Sequence, residues 1–193
     1  GDDDFSIVGT HAGATTISAG AGDDLLAVSN VNGLTRIETE SGADTVTVTV
    51  NSAELAASDP NGPLRPFYEQ LLTVDGGGLP GEMDMLNVNS LPGEPDSGTL
   101  TDRLLTGLGL GTGIAYEQLE VLNLRLGETA NTFTVVSTHA GETNLFTEGD
   151  DDDVNIRSVA GPTTVDAGAG DDTIRVGSLA PAAGGTLNSI LDP

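Results

Sequence analysis

Gly20-Ala21-Gly22-Asp23-Asp24-Leu25-Leu26-Ala27-Val28 is answered one unit later by Ser41-Gly42-Ala43-Asp44-Thr45-Val46-Thr47-Val48. Each stretch is a small, acidic turn running into a segment with an apolar residue at every second place. That alternation reads as a short, half-buried β-strand. The pattern returns as Gly149-Asp150-Asp151-Asp152 ahead of Val154 and Ile156. It returns again as Gly168-Ala169-Gly170-Asp171-Asp172 ahead of Ile174 and Val176. Asp24 to Asp44 and Asp152 to Asp172 are both steps of 20. A fixed short period predicts stacked units, each covering the open face of the one before.

A longer repeat encloses the short one. A shift of 128 residues lays Phe5–Val48 on Phe133–Val176 without a gap, and 16 of the 44 pairs are identical, so these are two copies of one segment. Within each copy the acidic turns alternate with neutral ones: Thr10–Gly13, Asn30–Gly33, Thr138–Gly141 and Ser158–Gly161. Strands are expected at Thr15–Ser18, Leu25–Val28, Thr35–Glu38 and Thr45–Val48. Leu26, Val28, Val46, Val48, Val154, Ile156, Ile174 and Val176 would form one inward column, and Ile17, Ile37, Leu145 and Val165 a second. Two strands and two turns per unit give an all-β fold, a parallel β-helix or β-roll-like solenoid of about 20 residues per coil. The carboxylates would then gather along one edge.

Three stretches follow: coils of the first copy at 1–50, an irregular continuation with loop insertions at 51–127, and the truncated second copy at 128–193. Ser52–Pro66 and Leu91–Gly98 read as Pro/Gly loops. Strands resume at Leu71–Val74 and Met85–Val88, joined by the acidic turn Asp75–Asp84. Leu105–Gly113 is glycine-rich. Tyr116–Leu126 reads as a long strand or as a short helix passing into a strand. The sequence starts and stops inside repeat motifs, as an interior stretch of a longer polypeptide would.

Composition narrows the function. Thirty acidic residues face six arginines, for a formal net charge of -24, so nucleic acid and anionic membrane surfaces are poor partners. There is no cysteine, which removes disulfides, thiol chemistry and thiolate zinc sites. No apolar run approaches the ~20 residues that insertion into a bilayer requires. Aromatics make up 3% of the chain, so the core must be thin and built from small and β-branched residues.

The pattern G-x-G-x-D-x-φ-x is intact at Gly20–Ala27 and Gly168–Arg175, and weakened at Glu40–Thr47 and Glu148–Asn155. Ca²⁺ takes six to eight oxygen ligands from carboxylates, carbonyls and water, and glycine lets a turn tighten enough to aim carbonyls inward. The candidate ligands are Asp23, Asp24, Asp44, Asp151, Asp152, Asp171 and Asp172, with Gly20, Gly22, Gly168 and Gly170 shaping the turns. These residues resemble the RTX, or hemolysin-type, calcium-binding repeat of secreted bacterial proteins, G-G-x-G-x-D-x-U-x. Ala19–Ala27 and Ala167–Arg175 match best, each with alanine for the first glycine. The resemblance implies a parallel β-roll, secretion and folding driven by extracellular calcium, with Asp24 and Asp172 as ligands, and Asp44 and Asp152 after them. The family roll has about 18 residues per coil and ions at both edges. Acids mainly at one edge here lead us to expect a single ion row. The 128-residue unit also resembles the tandem units of very large bacterial surface proteins.

Other readings compete. Asp and Gly form turns without any ion, and an acidic, lysine-free chain suits high salt. His11 and His139 occupy equivalent turns 128 residues apart with no nucleophile nearby, which favours a structural role. The run Thr45–Val50 suggests an ice-binding array, but its counterpart Thr173–Ser178 breaks the pattern. Parallel β-helices host polysaccharide lyases, yet no arginine sits in an acidic cluster. The expectation is therefore a non-enzymatic, calcium-stabilised structural segment, secreted or at the cell surface. It would act as a spacer, fibre or coat element that associates with its own kind end to end. The alternatives are an adhesin using the inserted loops, and a lyase.

Overall fold

The computed structural model describes residues 1–50, 71–78, 80–90 and 95–182 and the backbone of 188–189. The expected loop Ser52–Pro66 and the first half of Leu91–Gly98 lie outside these residues. In chain order the strands are β1 (Asp4–Ile7), β2 (Thr15–Ser18), β3 (Leu25–Val28), β4 (Thr35–Glu38), β5 (Thr45–Val50) and β6 (Leu72–Asp75). Next come β7 (Met85–Ser90), β8 (Ser97–Leu100), β9 (Leu104–Gly107), β10 (Leu110–Glu117), β11 (Val121–Arg125) and β12 (Thr132–Val135). The last six are β13 (Glu142–Phe146), β14 (Asp153–Ile156), β15 (Ser158–Val159), β16 (Thr163–Asp166), β17 (Thr173–Val176) and β18 (Asn188–Ser189). The described residues contain no helix, and the fold is all-β.

Two sheets carry the structure. A seven-stranded sheet runs β1-β3-β5-β7-β11-β13-β16, and a nine-stranded sheet runs β17-β14-β12-β8-β9-β10-β6-β4-β2. β15 and β18 form a small parallel pair. The seven-stranded sheet is parallel throughout. The nine-stranded sheet is parallel except where β9 lies antiparallel to β8 and to β10. From β1 to β8 the chain passes from one sheet to the other at every step.

Register follows the period of 20. Leu26 pairs with Val46 and Val28 with Val48; Ile17 pairs with Ile37; Val154 pairs with Ile174 and Ile156 with Val176. In the seven-stranded sheet one inward column runs Val28, Val48, Val88, Leu124, Leu145, and all five are buried. Each such side chain taken out of water contributes roughly 1.5–3 kcal/mol. The core is therefore thin but continuous, and Phe133 is its bulkiest fully buried member.

The columns expected from sequence are divided differently. Leu26 and Val46 belong to the seven-stranded sheet, whereas Val154 and Ile174 belong to the nine-stranded one. The same holds for Ile17 and Ile37 against Leu145 and Val165. The 128-residue repeat thus exchanges the sheets: β1 and its counterpart β12 lie in different sheets. The cause is the middle region, where β8, β9 and β10 stay within one sheet as an antiparallel meander. That makes the number of crossings between β1 and β12 odd. Gly107, Leu108 and Gly109, all at positive φ (89°, 53° and 72°), reverse the chain between β9 and β10. Tyr116–Leu126 is the end of β10 followed by β11, broken at Gln118 (φ 55°).

At the far end β17 is the last strand of its sheet, and Ile174 and Val176, inward by register, are 44% and 55% exposed. At the other end Phe5 and Ile7 of β1 are only partly buried.

Candidate functional site

Each acidic turn ends on an aspartate that immediately precedes a strand. Asp24, Asp44 and Asp84 precede β3, β5 and β7, and all three are buried although every one carries a carboxylate. Their side chains reach to the neighbouring unit. The N–H of Asp3 donates to Oδ1 of Asp24 at 2.7 Å. That of Asp24 donates to Oδ1 of Asp44 at 2.8 Å, and that of Asp44 to Oδ1 of Asp84 at 3.1 Å. The N–H of Asp84 ends the file on Oε2 of Glu120 at 2.8 Å. An outer, exposed file runs the other way. Asp2 Oδ1 accepts from the N–H of Asp23 at 3.1 Å, and Asp23 Oδ1 from the N–H of Ala43 at 2.9 Å. Adjacent aspartates therefore fasten each turn to both of its neighbours.

The second half of the chain, from Asp96 onward, repeats this arrangement. The N–H of Asp96 donates to Oδ1 of Asn131, that of Asn131 to Oδ1 of Asp152, and that of Asp152 to Oδ1 of Asp172, at 2.9, 2.7 and 3.0 Å. The outer file again runs the other way, the N–H of Asp171 donating to Oδ1 of Asp151 at 2.8 Å. These turns lead out of the seven-stranded sheet into the nine-stranded one; those of Asp24, Asp44 and Asp84 lead in the opposite direction. The acids do not share one edge. They occupy opposite rims in the two halves of the chain, as the odd number of sheet crossings requires.

In four of the inner carboxylates one oxygen is accounted for and the other is not, whereas Asp96 Oδ2 accepts from the N–H of Gly127 at 2.8 Å. Oδ2 of Asp24, Asp44, Asp84 and Asp152 is buried with no hydrogen-bond partner. Burial, together with the nearby charges of Asp44, Glu120 and Glu82, pushes the Asp84 carboxyl up to about 6. Burial raises that of Asp44 as well, against the stabilising N–H of Asp24 and the nearby Thr39 hydroxyl. A buried, unpaired anionic oxygen is unfavourable unless a proton or a cation meets it.

Gly20, Gly22, Gly168 and Gly170 all take positive φ, at 105°, 125°, 81° and 150°. Space as well as conformation requires glycine at Gly168, where an added Cβ would stand 1.9 Å from the Glu148 carbonyl oxygen, and at Gly42, where φ is 140° and the Gly22 carbonyl oxygen would be 2.0 Å away. Stacked turns approach that closely because the backbones bond directly: the N–H of Gly22 donates to Ser41 O, and the N–H of Ser41 to Gly20 O, at 2.9 and 3.1 Å. Among the described residues no three His, Asp or Glu side chains form a group able to hold a metal ion. The donor set is oxygen only, which matches a hard cation in kind. Any such ion would be shared between successive turns and completed by carbonyls and water.

The histidines have different surroundings. His11 Nδ1 accepts from the N–H of Gly13 at 2.7 Å. The His139 ring meets Tyr116 edge-on at 5.9 Å between centroids, lies 3.3 Å from Thr143 Oγ1, and has its pKa lowered by burial.

Asp84, Asp96, Glu120 and Asn131 belong to the inner files although the repeat motif does not include them. A usable signal was present: an Asp or Asn directly before the strand at Met85, Ser97 and Thr132 repeats the placing of Asp44 before Thr45. No family model, curated protein or solved structure matches the chain.

Proposed function

We propose that the two sheets are the facing walls of a parallel β-helix of about 20 residues per coil, and that the chain is a calcium-stabilised extracellular structural segment. It serves as a spacer, fibre or coat element and carries out no catalysis. The observation that supports this reading is the buried carboxylate oxygens without partners, at Asp24, Asp44 and Asp84 on one rim and at Asp152 on the other. Stacked anions inside a fold repel one another and ask for a counter-ion in the same row.

Asp24, Asp44 and Asp84 would hold calcium on one rim, and Asp152 and Asp172 on the other. The turns shaped by Gly20, Gly22, Gly168 and Gly170 would supply carbonyls, and the exposed Asp23, Asp151 and Asp171 would raise the local negative potential. Calcium supplies the positive charge that cancels the repulsion between turns. Binding to the folded state alone then couples folding to the millimolar calcium outside cells.

Circular dichroism during a titration from EDTA to ~10 mM calcium, with magnesium as control, tests this reading. A rise in β-signal or thermal midpoint with calcium alone is the expected result. A spectrum and midpoint indifferent to both ions, with no heat of binding, would overturn it.

A further inference from the structure

The meander of β8 to β10 breaks the regular coil and opens a cavity beside it, and we propose that this cavity binds a single neutral sugar residue, free or within a glycan chain. None of the aspartates assigned above to calcium lines it.

The floor lies on the outer face of the nine-stranded sheet. Leu72, Val74, Ile114 and Tyr116 turn inward and are buried, so Thr73 and Ala115, paired in register between them, face out. The turn between β8 and β9 stands beside the end of β10, since the N–H of Tyr116 donates to Arg103 O at 3.0 Å. Asp102 and Arg103 of this turn form one wall, and Glu117 and Gln118, where β10 breaks, form the other. Together they enclose about 340 Å³, at the small end of the ~300–1,000 Å³ typical of ligand sites. The room comes from Ala115, whose neighbours in the same outward column are Arg36, Thr73 and Leu104.

Both walls are held in place from behind. The Tyr116 hydroxyl donates to Thr101 O at 2.5 Å, and the buried ring is braced edge-on by His139. The N–H of Asp102 donates to Ser137 Oγ at 2.9 Å, and that of Leu104 to Thr101 Oγ1 at 3.0 Å. A turn tied at three points keeps its side chains ordered before a ligand arrives, which lowers the entropic cost of binding. On the opposite wall Arg36 donates to Glu117 Oε1 at 3.3 and 3.4 Å and to Asp75 at 2.5 Å. These bonds orient Glu117 from the sheet side and leave its second oxygen for a ligand.

The chemistry of the lining selects the ligand. Asp102 is matched by Arg103 at 3.4 Å and Glu117 by Arg36 at 3.3 Å, so each carboxylate already has its counter-charge. Arg103 keeps 80% of its side chain exposed and is free to swing onto a ligand. The cavity therefore offers acceptors at Asp102 and Glu117, donors at Arg103 and Gln118, and a hydroxyl at Thr73 that does both. Neighbouring hydroxyls of a sugar donate to a carboxylate and accept from a guanidinium without separating either ion pair. An anion would meet two carboxylates on a chain of net charge -24, and a metal ion would meet the Arg103 guanidinium. An apolar ligand would cut these groups off from water and leave them unpaired.

Amide chemical shifts of the isotope-labelled chain test the proposal. The probes are the methyl glycosides of glucose, galactose, mannose and N-acetylglucosamine, each titrated in the presence of calcium. At least one is expected to give saturable shifts clustered at Thr73, Asp102, Ala115, Glu117 and Gln118. Ala115→Leu fills the floor and should abolish them. Asp102→Asn and Glu117→Gln keep the shape, remove a charged acceptor and should each weaken binding about tenfold. Thr16→Leu, two strands from Thr73 in the same outward column, should bind as the unmodified chain does. The rest of each spectrum reports whether the variant is folded. Three results would overturn the proposal: no saturable shift from any of the four glycosides, shifts that persist in folded Ala115→Leu, or a stronger response to the zwitterion betaine than to any glycoside. Sugar binding by a fold that ignores calcium would remove the calcium function and leave the cavity's role standing.

Discussion

Asp24 and Asp44 are joined backbone to side chain, the N–H of the first to Oδ1 of the second, and Asp44 passes the same bond on to Asp84. The residue that looks like a metal ligand is also a fastener between units, and substitutions can separate the two roles. Asp44→Asn keeps an acceptor for Asp24 and removes the buried charge, so without calcium it should be neutral or stabilising by about 1 kcal/mol. Asp44→Ala leaves the Asp24 N–H unsatisfied and should cost about 1–3 kcal/mol. Both should lose the calcium-dependent part of the stability. Urea unfolding in EDTA and in calcium measures all four quantities, and equal behaviour of the two variants in EDTA would remove the fastening role.

The pH dependence of the ion-free fold has a definite sign. Asp84, pushed up to about 6, and Asp44, raised in the same direction, bind protons more tightly folded than unfolded. Their contribution is fully present below the unfolded value near 4, and it is lost as pH rises through about 6. In EDTA the thermal midpoint should therefore rise as pH falls from 7 toward 4, with Asp84 contributing up to about 3 kcal/mol. In calcium, which holds the carboxylates ionised, that gain should vanish or reverse. A midpoint that falls with acidification in EDTA would show that these groups are charged and satisfied without the ion.

Two glycines in equivalent-looking turns should differ in tolerance. Gly42→Ala drives a Cβ into the Gly22 carbonyl at 2.0 Å and keeps φ at 140°, and should cost about 3 kcal/mol. Gly20→Ala also holds positive φ but meets no atom within 4 Å, and should cost about 1–2 kcal/mol. Chemical denaturation of the pair distinguishes close stacking from turn conformation alone.

On the outer face of the seven-stranded sheet an amide ladder ties four strands. Asn144 Nδ2 donates to Asn123 Oδ1 at 3.0 Å, Asn123 Nδ2 to Asn87 Oδ1 at 2.8 Å, and Asn87 Nδ2 to Thr47 Oγ1 at 3.4 Å. Asn123→Ala breaks two of these bonds and should cost about 1–2 kcal/mol. Asn89→Ala, on the same face but outside the ladder, should stay within about 0.5 kcal/mol. Amide exchange across β7, β11 and β13 should quicken in the first variant only.

Much of this architecture is legible in the residues. Alternation marks β2 to β4 at their observed limits and β5 from its start to Val48, two residues short of its end, and the step of 20 fixes which residues pair, Leu26 with Val46 and Ile17 with Ile37. Such pairings are local consequences of period and apolar pattern. What could not be read is parity. Whether the second copy continues the first on the same wall depends on how many times the chain crosses between them. That number turns on a hairpin at Gly107–Gly109, whose backbone includes a leucine at positive φ. A glycine-rich run announces a reversal of some kind without saying that both its strands stay in one sheet. The inner files were half legible for a similar reason. Asp24 and Asp172 stand in a motif, whereas Glu120 and Asn131 are recruited by position, and their roles follow from which backbone N–H lies one unit away.

The unequal strand counts have a mechanical consequence. The nine-stranded sheet holds two more strands than the seven-stranded one, and strands sit ~4.8 Å apart, so on the facing-wall reading proposed above the meander at β8 to β10 would wedge one side of the segment open. A uniform array of such wedges would curl into a ring or a helix. Because the 128-residue step also exchanges the walls, an array that repeats it sets each wedge opposite the last. Successive bends should then cancel into a zigzag about a straight axis, an outline that electron microscopy of a multi-unit chain would reveal. A segment that is bent on its own can still build a tether with a straight line of reach.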